Sequence, residues 1–138
     1  MAPIKPVNDV TEAELAVLRL LWEQPASPIR EIMRKLYPAG TASDYATVQK
    51  LLERLEGKWC VTRDASEVPH RFSAAVGRGE LIGRRLREMA DKLCGGSVAP
   101  LVTNLVESRA LTPREIGQLR ELIDRLDTRS KNSAKKRR

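Results

Sequence analysis

Between Ser43 and Ser73 the apolar spacing changes from a helical period to two short strand-like runs, and few small folds use that order. In SDYATVQKLLERLEGKW, Val48, Leu51, Leu52 and Leu55 recur at i, i+3, i+4 and i+7, the stripe of a helix that buries one side. The other side carries Thr47, Gln49, Lys50, Glu53 and Arg54. CVTRD and PHRFS then supply two runs with β-branched or aromatic residues, separated by Ala65 to Val68, which suits a loose hairpin. A polar-faced helix followed by a hairpin with basic residues on it reads as a recognition helix and its wing.

Two helices are expected upstream. Thr11 and Glu14 have capping-box spacing ahead of Leu15, Leu18 and Trp22, which predicts a helix from Glu12 to Glu23 that Pro25 ends. Ser27 then offers a cap and Pro28 a first helical residue, with Ile29, Ile32, Met33 and Leu36 turned inward. The third helix is expected from about Asp44 to Glu56. Three helices and a hairpin place a winged helix-turn-helix domain over residues 1–76, closed by the glycines of AAVGRGE.

Beyond that boundary lie three more apolar stripes. Leu81, Ile82, Leu86, Met89, Ala90 and Leu93 mark a fourth helix, stopped by Gly95 and Gly96. Ser97 can cap a fifth that carries Val98, Leu101, Val102, Leu105 and Val106. Thr112, Pro113 and Glu115 open a sixth with Ile116, Leu119, Leu122, Ile123 and Leu126. So many stripes in about 50 residues exceed what a unit of that size can hide within itself. Residues 77–128 are therefore expected to form a helical dimerisation domain, with Leu86, Leu93, Leu101, Leu105, Leu119 and Ile123 in the contact. The expected class is mainly α, with a small β-hairpin wing.

The net charge of +7 says less about partners than its size suggests. Residues 1–74 hold equal numbers of basic and acidic side chains, and most of the excess sits in RSKNSAKKRR, residues 129–138, expected to be a disordered basic tail. Nucleic-acid binding must rest on local placement. No apolar run approaches the roughly 18 residues of a membrane span, and MAPIKPVNDV lacks the apolar centre of a signal peptide, so a cytoplasmic protein is expected. Cys60 and Cys94 lie far apart in different elements, which favours reduced thiols over a disulfide.

A helix fits the major groove of duplex DNA, and its first turns reach base edges. Here those turns hold Tyr45, Ala46, Thr47, Gln49 and Lys50. Thr47 can bond a base or touch a thymine methyl, Gln49 can pair with adenine and Lys50 can donate to guanine. Ala46 completes the base-facing set. Tyr45, Arg54, Lys58, Arg63, His70, Arg71 and the helix end at Ser27 are expected at the phosphate backbone. A winged helix that binds protein instead of DNA is the alternative, and the balanced charge of residues 1–74 is its support. Catalysis is disfavoured: His70 is the one histidine, no cysteine or acidic cluster lies near it at metal-ligand spacing, and no glycine-rich phosphate loop is present. No metal or cofactor is expected.

TEAELAVLRLLWE, YATVQKLLERLEGKW, HRFSA and NLVESRALTPREIGQLRELI, in that order, resemble the penicillinase repressors of the BlaI/MecI/CopY type, over about residues 8–128. The resemblance implies a homodimer that represses promoters at an inverted repeat, with DNA met at the positions of Ala46, Thr47, Lys50 and Arg54. It further implies release through a membrane-bound sensor metalloprotease, by cleavage in the fifth helix at an Asn-Phe bond. Here the corresponding bond joins Asn104 to Leu105. The paired Cys-x-Cys motifs of copper-responsive members are absent. Those repressors usually have Lys-Gly after the recognition helix, whereas this chain has Gly57, Lys58 and Trp59. A bulky Trp is costly at positive φ, so the helix is expected to end early, at Gly57.

Overall fold

The computed structural model describes residues 10–136. The expectation that the N-terminus lacks a signal peptide lies mainly on residues outside that span. Helix α1 (Glu12–Glu23) occupies the range its capping residues predict, and Thr11 Oγ1 accepts the Glu14 N–H at 3.2 Å. The reciprocal half of the capping box is replaced by a longer-range contact. The Glu14 carboxylate takes the Lys58 ammonium instead, through both oxygens.

Ser27 and Pro28 are not the start of a helix. They form a two-residue strand, β1 (Ser27–Pro28), and α2 (Ile29–Leu36) begins after it with Pro28 at the N-cap and no side-chain cap. The physical reason is local. The Ser27 hydroxyl donates back to the Gln24 carbonyl at 2.7 Å, and the backbone pairs with the wing at Ser27–Phe72 and Pro28–Arg71. Proline suits an extended strand end as readily as a first helical turn, so the sequence did not distinguish them.

Helix α3 (Ala42–Gly57) starts before the expected Asp44. Thr41 and Asp44 form the reciprocal capping box that α1 lacks, each bond 3.1 Å long. At its C-terminus Gly57 stays helical, Lys58 is the cap and Trp59 takes φ +62°. The helix thus ends at Gly57 as expected, but Trp59 still adopts the left-handed conformation that its bulk makes costly. Two backbone bonds explain this: Trp59 N–H to the Glu56 carbonyl at 3.1 Å and Cys60 N–H to the Leu55 carbonyl at 2.9 Å, the Schellman pattern that satisfies the last carbonyls of a helix.

A left-handed non-glycine residue costs about 1–2 kcal/mol, and Trp59 is 64% exposed, so its side chain returns little of that through packing. Trp59→Gly is therefore expected to stabilise the protein by about 1 kcal/mol, read as a higher urea midpoint. A lowered midpoint would show that the indole makes a compensating contact.

Strands β2 (Val61–Asp64) and β3 (Arg71–Ala74) form the wing, and β3 lies between β1 and β2 in an antiparallel sheet. The connecting loop runs to His70, two residues beyond the expected Val68. One buried cluster holds these elements: Val17, Leu18 and Leu21 of α1, Ile32 of α2, Val48, Leu51, Leu52 and Leu55 of α3, Val61 of β2, and Phe72 of β3. Each large apolar side chain buried there contributes about 1.5–3 kcal/mol relative to exposure. The α3 members are the four whose spacing marked the helix.

Helix α4 (Arg78–Leu93) adds Leu81 to this cluster, while the Trp22 indole N–H donates to the Val76 carbonyl at 2.8 Å. Contacts divide the chain into two compact units, Met1–Met89 and Ala90–Arg138, so the division falls within α4 rather than near Gly77. The second unit holds α5 (Ala99–Glu107) and α6 (Pro113–Lys136). Val98, not Ser97, is the N-cap of α5. The Thr112–Glu115 capping box opens α6 as expected, with bonds of 3.0 and 3.2 Å.

The tail expected to be disordered from residue 129 is helical to Lys136, and residues 137 and 138 lie outside the described span. Extending a formed helix is far easier than nucleating one, no Gly or Pro interrupts, and Lys131 pairs with Asp127 one turn back at 3.4 Å. Among the described residues, no helix is long and apolar enough to cross a membrane.

Candidate nucleic-acid interface

The exposed side of α3 is built by default. Its buried stripe fixes the rotation of the helix, so Tyr45, Ala46, Thr47, Gln49, Lys50, Glu53 and Arg54 must face outward, and all of them are exposed. Thr47 Oγ1 donates to the Ser43 carbonyl at 3.0 Å, which leaves its lone pairs free to accept from a base.

The wing is tied to the turn before α2. Ala26 N–H donates to Ser73 Oγ at 2.9 Å, and the Arg71 guanidinium donates to the Ala26 carbonyl at 3.0 Å. At the loop, the Ser66 amide and hydroxyl both bond the Asp64 carboxylate, holding it below the usual carboxylate range. A second link joins the wing to α3: the Arg63 guanidinium sits 2.6 Å from the Glu56 carboxylate and 4.9 Å over the Phe72 ring.

These ties bring α2, α3 and the wing around one cleft of about 680 Å³. Tyr45 and Gln49 of α3, Arg63 of β2 and His70 of the wing loop line it, four residues singled out from sequence. Ala46, Thr47, Lys50 and Arg54 lie outside the cleft lining, on the exposed side of α3. Arg30 and Arg34 also line the cleft, and sequence reasoning missed them. Their signal was available: they are one turn apart on α2 and both exposed, beside the inward Ile29, Ile32 and Met33.

Two expected backbone contacts are placed elsewhere. Ser27 is buried and its hydroxyl is used within the turn, so it presents nothing to a phosphate. The Lys58 ammonium lies 2.7 Å from Glu14, which is only 1% exposed, so it neutralises a buried carboxylate. Buried carboxylates need such a partner.

The thiols are uninvolved in this face. Cys60 and Cys94 are both free thiols; Cys60 is buried, its Sγ donating to the Lys58 carbonyl at 3.6 Å, while Cys94 is half-buried. Burial pushes the Cys60 thiol above its ordinary value, away from the reactive thiolate. Among the described residues, no group of three or more His, Cys, Asp or Glu side chains could hold a metal ion.

The apolar faces of the C-terminal helices are left uncovered in the single chain. Leu93, Val102, Leu105, Val106, Leu119, Leu122, Ile123 and Leu126 are all exposed in the single chain, as is Leu86 in the first unit. Leu101 is half-buried. Asn104 and Leu105 lie inside α5, both exposed.

The family described as penicillinase repressor matches residues 10–125. The chain is 25% identical over 116 residues to a penicillinase repressor of Staphylococcus aureus, covering 84% of this chain and 91% of that protein. It is 21% identical over 128 residues to one from Bacillus licheniformis, covering 93% and 99% respectively. A solved structure of the PcaV transcriptional regulator from Streptomyces coelicolor is a looser likeness, with a TM-score of 0.40 and 18% identity over 86% of this chain and 74% of that one.

Proposed function

The chain belongs to the penicillinase repressor family, and from that premise we propose that it represses transcription by binding an inverted-repeat DNA operator as a homodimer. The observation that carries this reading is the convergence of α2, α3 and the wing: Arg30 and Arg34, Tyr45 and Gln49, and Arg63 and His70 line one cleft beside the exposed face of α3. The first turns of α3 enter the major groove, where Ala46, Thr47, Gln49 and Lys50 meet bases. Tyr45, Arg54, Arg71, His70 and the two arginines of α2 hold phosphates, which fixes register. No catalytic step is required of any of them.

Lys50→Ala is expected to weaken operator binding by about 1–3 kcal/mol and to relax base preference at one position in each half-site. Arg54→Ala should weaken all sequences alike and reduce the salt slope of binding by about one. Fluorescence anisotropy with labelled duplexes at several salt concentrations separates the two. Unchanged binding in both variants, with circular dichroism intact, would remove α3 from the groove.

The apolar faces of α5 and α6, with Leu86 and Leu93 of α4, form the dimer contact in this reading. The winged-helix part reads one half-site per chain. Release follows from a cut between Asn104 and Leu105, made through a pathway that includes a membrane-bound sensor metalloprotease. Because that bond lies within α5, the helix must open locally before a protease can act. The cut separates most of α5 from α6, and with it the two halves of the apolar surface.

A further inference from the structure

On the first unit, away from the cleft beside α3, a second cleft of about 400 Å³ lies between α1 and α4. Leu15 and Trp22 on one side and Leu81, Leu86 and Met89 on the other give it apolar walls. Arg19, Arg78 and Arg85 also line it, and among the described residues no carboxylate does. Its size falls within the range of small-molecule sites, which combine apolar walls with a few fixed polar groups.

The three guanidinium groups are placed by the fold. Arg78 stands 5.2 Å over the Trp22 ring, whose own N–H is occupied by the Val76 carbonyl. Arg85 donates one N–H to the Val10 carbonyl at 2.9 Å, which leaves other donors of its fork available. Arg19 is exposed at the cleft on α1. Guanidinium pairs with carboxylate through two parallel hydrogen bonds, and a partly desolvated site strengthens that pairing.

We propose that this cleft binds a small amphipathic carboxylate, a one- or two-ring apolar body bearing a single acid group. The apolar walls discriminate against compact polyanions such as inorganic phosphate, which would leave them unfilled. The arginines discriminate against neutral aromatics, which would desolvate cationic groups without pairing them. Both halves of the ligand are needed.

The probe is 2-naphthoate, titrated by calorimetry into the full-length protein without DNA, with 2-naphthylmethanol as its neutral counterpart. The expected result is one saturable site per chain, with the acid bound at least about tenfold more tightly than the alcohol, the scale of one charge-assisted pair. Arg19→Glu and Arg78→Glu should each weaken the acid about tenfold or more and leave the alcohol little changed. Inorganic phosphate should not compete. Equal affinity for acid and alcohol, or no response to either arginine substitution, overturns the proposal. So does the absence of binding to the dimer, which would mean that the second copy, placed against Leu86 in the repressor reading, closes the whole cleft and not only that one side chain. Since no DNA is present, failure here leaves the repressor reading intact, and failure of operator binding leaves this site intact.

Discussion

Lys58→Ala is expected to destabilise the protein by about 3–5 kcal/mol, the loss typical of a buried ion pair from which one partner is removed. Glu14 has almost no solvent contact, and the Lys58 ammonium meets both of its oxygens at 2.9 and 2.7 Å. Removing the ammonium leaves a carboxylate with neither water nor a counter-charge. The pair spans the first turn of α1 and the C-cap of α3, directly before the wing, so the loss should also loosen the hairpin. Urea unfolding at a fixed protein concentration measures it, because any dimer makes the midpoint depend on concentration. The double variant Glu14→Leu, Lys58→Met should recover most of the loss, since replacing a whole buried pair by apolar groups is close to neutral. A Lys58→Ala protein within about 1 kcal/mol of the parent would show that Glu14 is satisfied by other means.

The second large effect concerns the proposed dimer. Leu105→Asp combined with Ile123→Asp places two charges on apolar faces of α5 and α6 that are 45% and 61% exposed in the single chain. Those side chains carry little of the fold within one chain, so the variant should stay helical. It should sediment at about 15.5 kDa, where the parent is expected at twice that mass. Operator binding should fall by about 100-fold or more, because the second half-site no longer benefits from a tethered partner. A chain truncated after Asn104 should behave in the same way. A truncated chain that remained dimeric with undiminished affinity would separate release from this bond.

Local signals made much of the fold legible. Thr11 and the stop at Pro25 set α1, and the Val48 to Leu55 stripe set both the existence of α3 and its outward face. What the sequence concealed depends on distant partners or on competing local choices. Thr41, Ser43 and Asp44 are all capable caps, and the reciprocal Thr41–Asp44 bonds decide among them. Ser27 reads as a cap until β3 arrives beside it, and that partner is 45 residues away at Phe72. Lys58 reads as a surface cation for the same reason, since Glu14 is 44 residues away in sequence.

The candidate interface divides along the same line. The exposed face of α3 follows from periodicity alone, whereas the cleft that adds Arg30 and Arg34 exists only once α2, α3 and the wing are packed. Trp59 shows a different limit. Its steric cost was correctly weighed, but the Schellman bonds of Trp59 and Cys60 outweigh it.

Two chains together are proposed to read an inverted repeat through α3. Selection of full-length protein on a random duplex pool, followed by sedimentation of the complex with the enriched sequence, tests it directly. The expected result is enrichment of a sequence with two inverted half-sites about one helical turn or a multiple of it apart, bound by two chains, with Lys50→Ala erasing one base preference in each half. Failure to enrich any sequence above the starting pool, or enrichment of a single asymmetric site bound by one chain, would contradict it.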